Sequence, residues 1–509
     1  MRDDHTRGPG APTPPIELAG GAAAAGPTLA AEARAVPEAV VERLRRACSQ
    51  VSTDAAELAE ASRDWWPLAM TWAVEGRVPA LASVVARPAE PAEVAAVVAV
   101  CHEARVPVTA AGGRSGVCGG SVPVHGGVVL DLCGLAGIRD VDDASLTVDV
   151  AAGTFGDRFE ADLAATWGLT VGHWPQSMAL STVGGWLACR GAGQLSNRYG
   201  KIEDLVVGLD VVLADGTAIV TGGQARQASG PDLNQLFVGS EGTLGIITGA
   251  RLRARPQPSH ERRAAYGFAS FAEGLEACRR ILRRGATPAV LRLYDAVEGQ
   301  RNFGTGEVHP LLVLDEGDPL IVDAAMAVVA EECGATAPLD EAVVGAWVAH
   351  RNEVSALEAL ISRGYVVDTM EVTGPWRVLP ELYRATLDAI GGVDGVLAVS
   401  AHQSHAYPDG ACLYFTFGGQ PDPGAKDRFY TDVWDAGTRA VLAHGGSLSH
   451  HHGVGLNRAR FMREALGGGF DVLVALKRAL DPHGILNPGK LGLPDPFGPV
   501  PFAVDGRVR

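Results

Sequence analysis

The chain has 509 residues, 47% hydrophobic and 20% charged, a globular balance that excludes disorder along its whole length. Its net charge of −16, with no basic patch to relieve it, excludes the electrostatic footprint of a nucleic-acid or anionic-membrane binder. The length calls for about three domains.

Residues 1–40 are rich in Pro, Gly and Ala and read as a disordered tail, not a signal peptide. Residues 41–78 form an N-terminal helical segment, in which Val40, Leu44 and Cys48 recur at helical spacing. From residue 79 to 258 short β-like runs alternate with helical ones. Pro91 opens an apolar helix, Val106–Ala110 is a strand, and Val128–Leu132 and Leu146–Val150 are β-branched runs about an Asp142-Asp143 turn. Helix Phe155–Trp167 follows, then strands Leu205–Leu213 and Ala218–Thr221 about Asp215-Gly216, and a strand over Leu244–Leu252. Residues 259–440 alternate helices with short strands, as in one open sheet covered on one face. Residues 441–509 hold a histidine cluster and the helix Val472–Leu480.

Eight cysteines are scattered without a CxxC pair, which reads as reduced, cytoplasmic usage. No run of about 18 apolar residues exists to span a membrane.

Three loops carry the first chemical signal. Ala111–Gly120 is glycine-rich after a strand but lacks the G-x-G-x-x-G spacing, so it is an anion-binding nest or only a linker. Ser181–Gly185 and Gly239–Gly245 are two more small-residue loops, and three on one domain suit a long, doubly phosphorylated cofactor. The second signal is Ser449-His450-His451-His452-Gly453. Adjacent residues of a strand point to opposite faces, so the triplet is not expected to chelate one ion; it fits a site lining that donates and shuttles protons. Taken alone, Tyr414 reads as a core tyrosine and Arg292 as a strand-edge ion-pair partner.

Together these motifs resemble the FAD-binding flavoproteins of the vanillyl-alcohol-oxidase (PCMH) type, most closely the alkyldihydroxyacetonephosphate synthase branch. The resemblance covers about residues 65–490 and runs through Thr109–Ser115, Gly172–Ser177, Ser181–Trp186, Tyr199–Val206, Gly239–Thr248, Leu291-Arg292-Leu293, Asp409–Phe415 and Gly446–Gly455. It implies an α+β fold: a two-part PCMH-type FAD-binding domain (79–258), an α+β cap over the substrate (259–440) and a C-terminal segment returning to the FAD domain.

The resemblance also assigns residues. Thr109, Ala110, Ala111, Gly112, Gly113, Arg114 and Ser115 would wrap the pyrophosphate. Gln176, Ser177, Ser181, Thr182, Cys189, Arg190, Gly191, Ala192, Glu241, Gly242, Thr243, Leu244, Gly245, Ile246 and Ile247 would hold the rest of FAD. Tyr414, His450, His451, His452, Arg292 and His173 fall on catalytic positions. A phenol with pKa about 10 acts as a base only beside positive charge, which Arg292 or a protonated histidine would supply.

Departures refine the reading. The synthases' phosphate-binding arginine is here His402, a substrate-pocket residue with no fixed charge. The zinc-type His-x-Gly-Asp-Gly-x-x-His motif of related hydroxy-acid dehydrogenases is broken in His405–Gly410, so no metal is expected, although the tail Ile485–Lys490 looks like theirs. Arg114 and Met178 stand where relatives tether their flavin, so FAD is expected to bind non-covalently. The expected activity is an FAD-dependent oxidoreductase acting on an alcohol or hydroxy-acid-like small molecule; the alternative is a redox-neutral, ether-forming synthase-type transferase. A non-catalytic flavin-binding protein is disfavoured by the matched catalytic set. A homodimer is compatible with the resemblance.

Overall fold

Val84, Val108 and Val128 open short β-branched runs that pair in parallel, because strands covered on both faces need apolar side chains throughout. The computed structural model describes residues 12–29 and 33–500. In it, Val84–Arg87, Val128–Asp131 and Val108–Ala111 lie side by side, with Gln50–Ser52 added antiparallel at the edge. Helix Pro91–Ala104 starts on proline, whose missing N–H is unneeded there, and lays Val94, Val97, Val98 and Cys101 against this sheet.

A second, antiparallel sheet runs Ala218–Gly222, Val206–Val212, Ile246–Arg253, Thr147–Ala151, Ile138–Asp142. Its hairpin turns at Gly216, whose φ of +88° explains the glycine. Helices Gly156–Trp167 and Val183–Cys189 cover it with Phe159, Leu163, Trp186 and Leu187.

The third sheet has seven antiparallel strands in the order Ala337–Leu339, His260–Phe268, His309–Gly317, Val290–Tyr294, Val396–Ala406, Gly410–Gly419, Val366–Pro375. One face is packed by helices Phe271–Arg283, Pro319–Glu332, Leu379–Gly391 and Lys426–Ala443 through Leu291, Leu293, Ala401, Leu413, Phe415, Phe417 and Met370. Strand periodicity of two then turns Arg292, Tyr294, His402, Tyr414, Thr416 and Glu371 to the opposite face. Register aligns them further: Glu371 pairs with Tyr414, Tyr414 with His402, and His402 with Tyr294. One row of functional side chains therefore crosses four neighbouring strands.

Two features depart from the sequence reading. The stretch read as a disordered tail is bound to the protein wherever it is described. Gly26–Pro27 pairs with Arg77–Val78, Trp65 Nε1 donates to Thr13 O at 3.1 Å, and Ile16, Leu18 and Leu29 are buried. Three apolar anchors amid prolines suffice to fix an extended segment; residues 1–11 and 30–32 lie outside the described residues. The second departure is a group of unpredicted elements, among them strands His260–Phe268 and Val366–Pro375 and helices Ala296–Phe303, Ala342–His350 and Lys426–Ala443. In strand Val366–Pro375, buried Asp368 and Glu371 face opposite sides and disguise the apolar alternation. No helix among the described residues is long and apolar enough to cross a membrane, and all eight cysteines are free.

Candidate active site

The predicted cofactor loops meet at one place. Thr109, Ala110 and Ala111 end the strand Val108–Ala111, and Gly112–Ser115 curl away from it. A Cβ on Gly112 would lie 2.3 Å from Thr182 Oγ1, and one on Gly113 2.0 Å from Leu180 O, so only glycine lets these two loops touch. A Cβ on Gly242 would meet Ala110 Cβ at 3.7 Å, and one on Gly191 would meet His173 Nε2 at 3.7 Å. Three of the four loops hold one non-glycine residue with left-handed φ: Arg114 (54°), Arg190 (56°) and Glu241 (50°). Backbone strain of this kind persists where a loop is shaped for a ligand.

Several of the assigned side chains are already engaged. Thr182 caps the helix Val183–Cys189, Ser181 Oγ accepts from Trp186 Nε1 at 2.7 Å, and Gln176 Nε2 donates to Glu353 O at 3.1 Å. Arg114 pairs with Asp131 and Arg190 donates to Gln235. Thr243 bonds the Ser240 carbonyl, while Leu244, Ile246 and Ile247 are buried in the core. Ser177, Cys189, Ala192 and Gly245 sit in or beside the same loops. These residues can offer a cofactor chiefly backbone and shape. The open polar atoms are elsewhere: both ring nitrogens of fully buried His173 and the hydroxyl of Ser240 lack any partner in the protein. His173 stacks on Trp186 at 4.6 Å, and burial pushes its pKa down to about 3, so it is a neutral ring in need of a ligand group.

Glu241 ties this region to the C-terminal segment by accepting from Val454 N at 2.5 Å and Gly455 N at 2.8 Å. A second buried carboxylate shapes the histidine triplet. Glu371 Oε1 accepts from the successive backbone N–H groups of His450 (3.3 Å), His451 (3.0 Å) and His452 (2.6 Å), and from Ser449 Oγ at 2.9 Å. Its Oε2 pairs with Arg458 Nη2 at 2.6 Å, and neither side chain has any exposed surface. Burial works against this charge, but Arg458, His452 and the N–H groups outweigh it and lower the carboxyl to about 2.

This nest overturns the expectation drawn from strand alternation. The triplet is bent around one oxygen, so neighbouring side chains converge: His450 Nδ1 and His451 Nδ1 are 2.9 Å apart. With His405 they bring three ring nitrogens within 4.8 Å of one another. The donor set contains no carboxylate, and beyond burial, Arg292 and Lys201 act against positive charge on His405. Three neutral imidazoles are nonetheless a set that ligates zinc, so this convergence, which strand alternation did not foresee, is an arrangement among the described residues that could hold a metal ion.

His402 also differs from expectation. Guanidinium has no acceptor, so Arg292 Nη2 donates to His402 Nε2 at 2.6 Å, which makes Nδ1 the protonated nitrogen that donates to Glu298 Oε2 at 2.7 Å. Both nitrogens of this buried ring are engaged within the protein, one of them by Arg292. Burial opposes the charge on Glu298, but the His402 N–H, Arg301 and Thr416 hold it below the usual carboxylate range. Arg292 itself has no carboxylate within ion-pair distance among the described residues. It lies between the rings of Tyr294 and Trp347, 5.5 and 5.6 Å from its guanidinium carbon, and its buried Nε is unpartnered.

Tyr414 stacks on His402 at 4.8 Å and lies edge-on to His452 at 5.7 Å. Thr369 Oγ1 donates to its hydroxyl at 3.0 Å. Burial, with Glu371 and Asp368 nearby, holds the phenol well above its ordinary pKa despite Arg292. The expected lowering is therefore not present, and Tyr414 is a protonated donor. His405, His450 and His451 are held well below the usual imidazole pKa by burial, and His452 at about 4. They are neutral and able to accept protons. A cleft of about 670 Å³ opens beside them, lined by Tyr407, Ser449, Leu442, Leu448, Met462 and Leu466.

Two family models divide the chain: an FAD binding domain over residues 82–222 and the C-terminal domain of FAD linked oxidases over 257–491. The uncharacterized FAD-linked oxidoreductase YgcU of Escherichia coli O157:H7 is 30% identical over 76% of this chain and 83% of its own length. The chain belongs to the FAD-linked oxidase family. Its cofactor is FAD, and the unpartnered polar atoms and glycine-lined loops fit one. The alkyldihydroxyacetonephosphate synthase of Dictyostelium discoideum, also 30% identical, matches 82% of this FAD-linked oxidase and 74% of the synthase. Substrate-bound p-cresol methylhydroxylase shares the fold, with a TM-score of 0.70 at 18% identity over 91% of this chain and 99% of that one.

Sequence reasoning missed Glu371, Arg458 and Tyr407. No spacing marks them, since each acts through residues more than 40 positions away or through backbone N–H groups.

Proposed function

We propose that this FAD-linked oxidase oxidises the hydroxyl-bearing carbon of a small 2-hydroxy acid. The observation that carries the reading is Arg292, a guanidinium with no carboxylate partner, fixed by His402 and two aromatic faces beside four neutral histidines and a protonated tyrosine. Such a cation is built to receive an anion from outside, and a carboxylate matches its bidentate geometry. Bound FAD supplies the two-electron acceptor.

The protein supplies the rest. The substrate carboxylate docks on Arg292, and Tyr414 donates to the substrate oxygen. His451, whose Nε2 has no protein partner among the described residues, takes the hydroxyl proton. His173, whose ring nitrogens lack a partner among the described residues, would offer a polar contact to the cofactor, and loops 109–115, 176–182, 189–192 and 241–247 would hold it by backbone and shape.

Anaerobic mixing with glycolate and D-lactate tests this directly. The flavin band at about pH 7 is expected to bleach stoichiometrically, and Arg292→Gln is expected to raise KM about a hundred-fold with FAD still bound. No bleaching by any hydroxy acid in a chain-length series would refute the reading.

A synthase-type reading has one observation in its favour: the cleft beside the triplet is lined by Leu442, Leu448, Met462 and Leu466, as an alkyl chain would require. Ether formation from acyl-dihydroxyacetone phosphate and a fatty alcohol, without net bleaching, would establish it.

A further inference from the structure

We propose that Tyr407 is the outer station of a proton path running from the substrate through His451 and His450 to the cleft. The proposal rests on the hydroxy-acid reading above and assigns a role to a residue outside its catalytic set.

The two links within the protein are at hydrogen-bond distance. His451 Nδ1 and His450 Nδ1 are 2.9 Å apart, His450 Nε2 and Tyr407 OH 3.0 Å, and Tyr407 is among the residues that line the 670 Å³ cleft. A branch runs from Tyr407 OH to Ser196 Oγ at 3.4 Å and on to His405 Nδ1 at 2.7 Å. Lys201 Nζ anchors the His450 carbonyl at 2.7 Å, and Glu371 anchors the backbone of both histidines, so the donors cannot drift apart.

The tautomers are consistent along the line. Two neutral imidazoles facing each other nitrogen to nitrogen share one proton. With that proton on His451 Nδ1, His451 Nε2 is a free acceptor facing the substrate, and His450 carries its own proton on Nε2, donated to the Tyr407 oxygen. Oxidation of an alcohol removes a C–H hydrogen with its electron pair, which is FAD's share, and an O–H proton, which is the protein's. As that O–H bond breaks, its proton bonds to His451 Nε2. The Nδ1 proton passes to His450 Nδ1, the His450 Nε2 proton passes to Tyr407 oxygen, and the original phenol proton leaves into the cleft. One proton enters and one leaves, and Tyr407 never becomes a phenolate. Glu203, Asp204, Lys201 and Cys412 are the charged or titratable groups that surround this end of the path.

Tyr407→Phe keeps the ring and removes the oxygen. With glycolate as reductant and a dye as acceptor, kcat in dilute buffer is expected to fall about ten- to hundred-fold with KM unchanged. Rising imidazole is expected to restore it, because a mobile base replaces the missing station. A merely structural tyrosine would not respond to imidazole. Normal kcat in dilute buffer, or a loss deaf to imidazole, overturns the proposal. Should Tyr407→Phe fail to hold FAD, a proton inventory on the wild-type holoenzyme decides: a bowed plot of rate against deuterium fraction supports a multi-proton path, and a linear one sinks it. Bleaching by glycolate with no imidazole effect removes only the path; absence of bleaching by any hydroxy acid removes the hydroxy-acid reading as well.

Discussion

At the scale of single residues, two carboxylates, Glu371 and Glu241, hold the backbone of the site. Glu371→Gln leaves Arg458 buried without its counter-charge, which typically costs about 3–5 kcal/mol. The expected result is a lower denaturation midpoint together with loss of flavin bleaching, since the histidines lose their common anchor. The pH dependence has a definite sign. The carboxyl is lowered to about 2 in the folded protein, against about 4.3 unfolded. Its stabilising contribution is therefore complete above about pH 4.3 and is lost as the pH falls toward 2. A midpoint in Glu371→Gln that declines between pH 4.5 and 2.5 as steeply as wild type would contradict this assignment.

At the scale of elements, glycine decides where loops can meet. Gly113→Ala puts a methyl group 2.0 Å from the Leu180 carbonyl, a backbone atom that cannot swing aside. We expect purified Gly113→Ala to carry little FAD while Gly424→Ala, in open space and without a left-handed φ, carries a full complement; absorbance ratios read this directly. Much of this level was legible beforehand. The β-branched runs, the Asp215-Gly216 turn and helix Pro91–Ala104 stood out because local periodicity and turn chemistry agreed with the final fold. The site was legible to the extent that Tyr414, Arg292 and the triplet share motifs with a family. The engagement of His402 by Arg292 and Glu298 was not legible because these partners are 110 and 104 residues away in sequence. Strand Val366–Pro375 was missed because two acids interrupt it, and both are buried only through partners that no local pattern reveals.

For the whole molecule, the many neutral histidines make stability depend on pH above the carboxylate range. His173 falls to about 3 and His452 to about 4 when folded, chiefly through burial, so in mild acid the unfolded chain binds more protons than the folded one. Stability is then complete above about pH 6.5 and decreases by about 1.4 kcal/mol per histidine for each unit below it. Urea midpoints of the holoenzyme at pH 7.5 and 5.0 should differ accordingly; equal midpoints would show that these rings are solvated. FAD is expected to leave with the supernatant after acid precipitation. Met178 is buried and unreactive, Arg114 is tied to Asp131, and burial raises the thiols of Cys118 and Cys189 out of the nucleophilic range. Yellow pellets would show a covalent bond.

The clasp between Glu371 and residues 449–452 bears on how the molecule is made. The carboxylate belongs to a sheet completed by residue 419, whereas its hydrogen-bond donors and Arg458 emerge later from the ribosome. Until they do, a naked anion faces the inner surface of that sheet, and the tail that will neutralise it is still in the exit tunnel. The histidine triplet can take its bent shape around the carboxylate only once both segments are present. A chain ending before Ser449 would keep the Glu371 carboxylate and lose all of these donors together with Arg458.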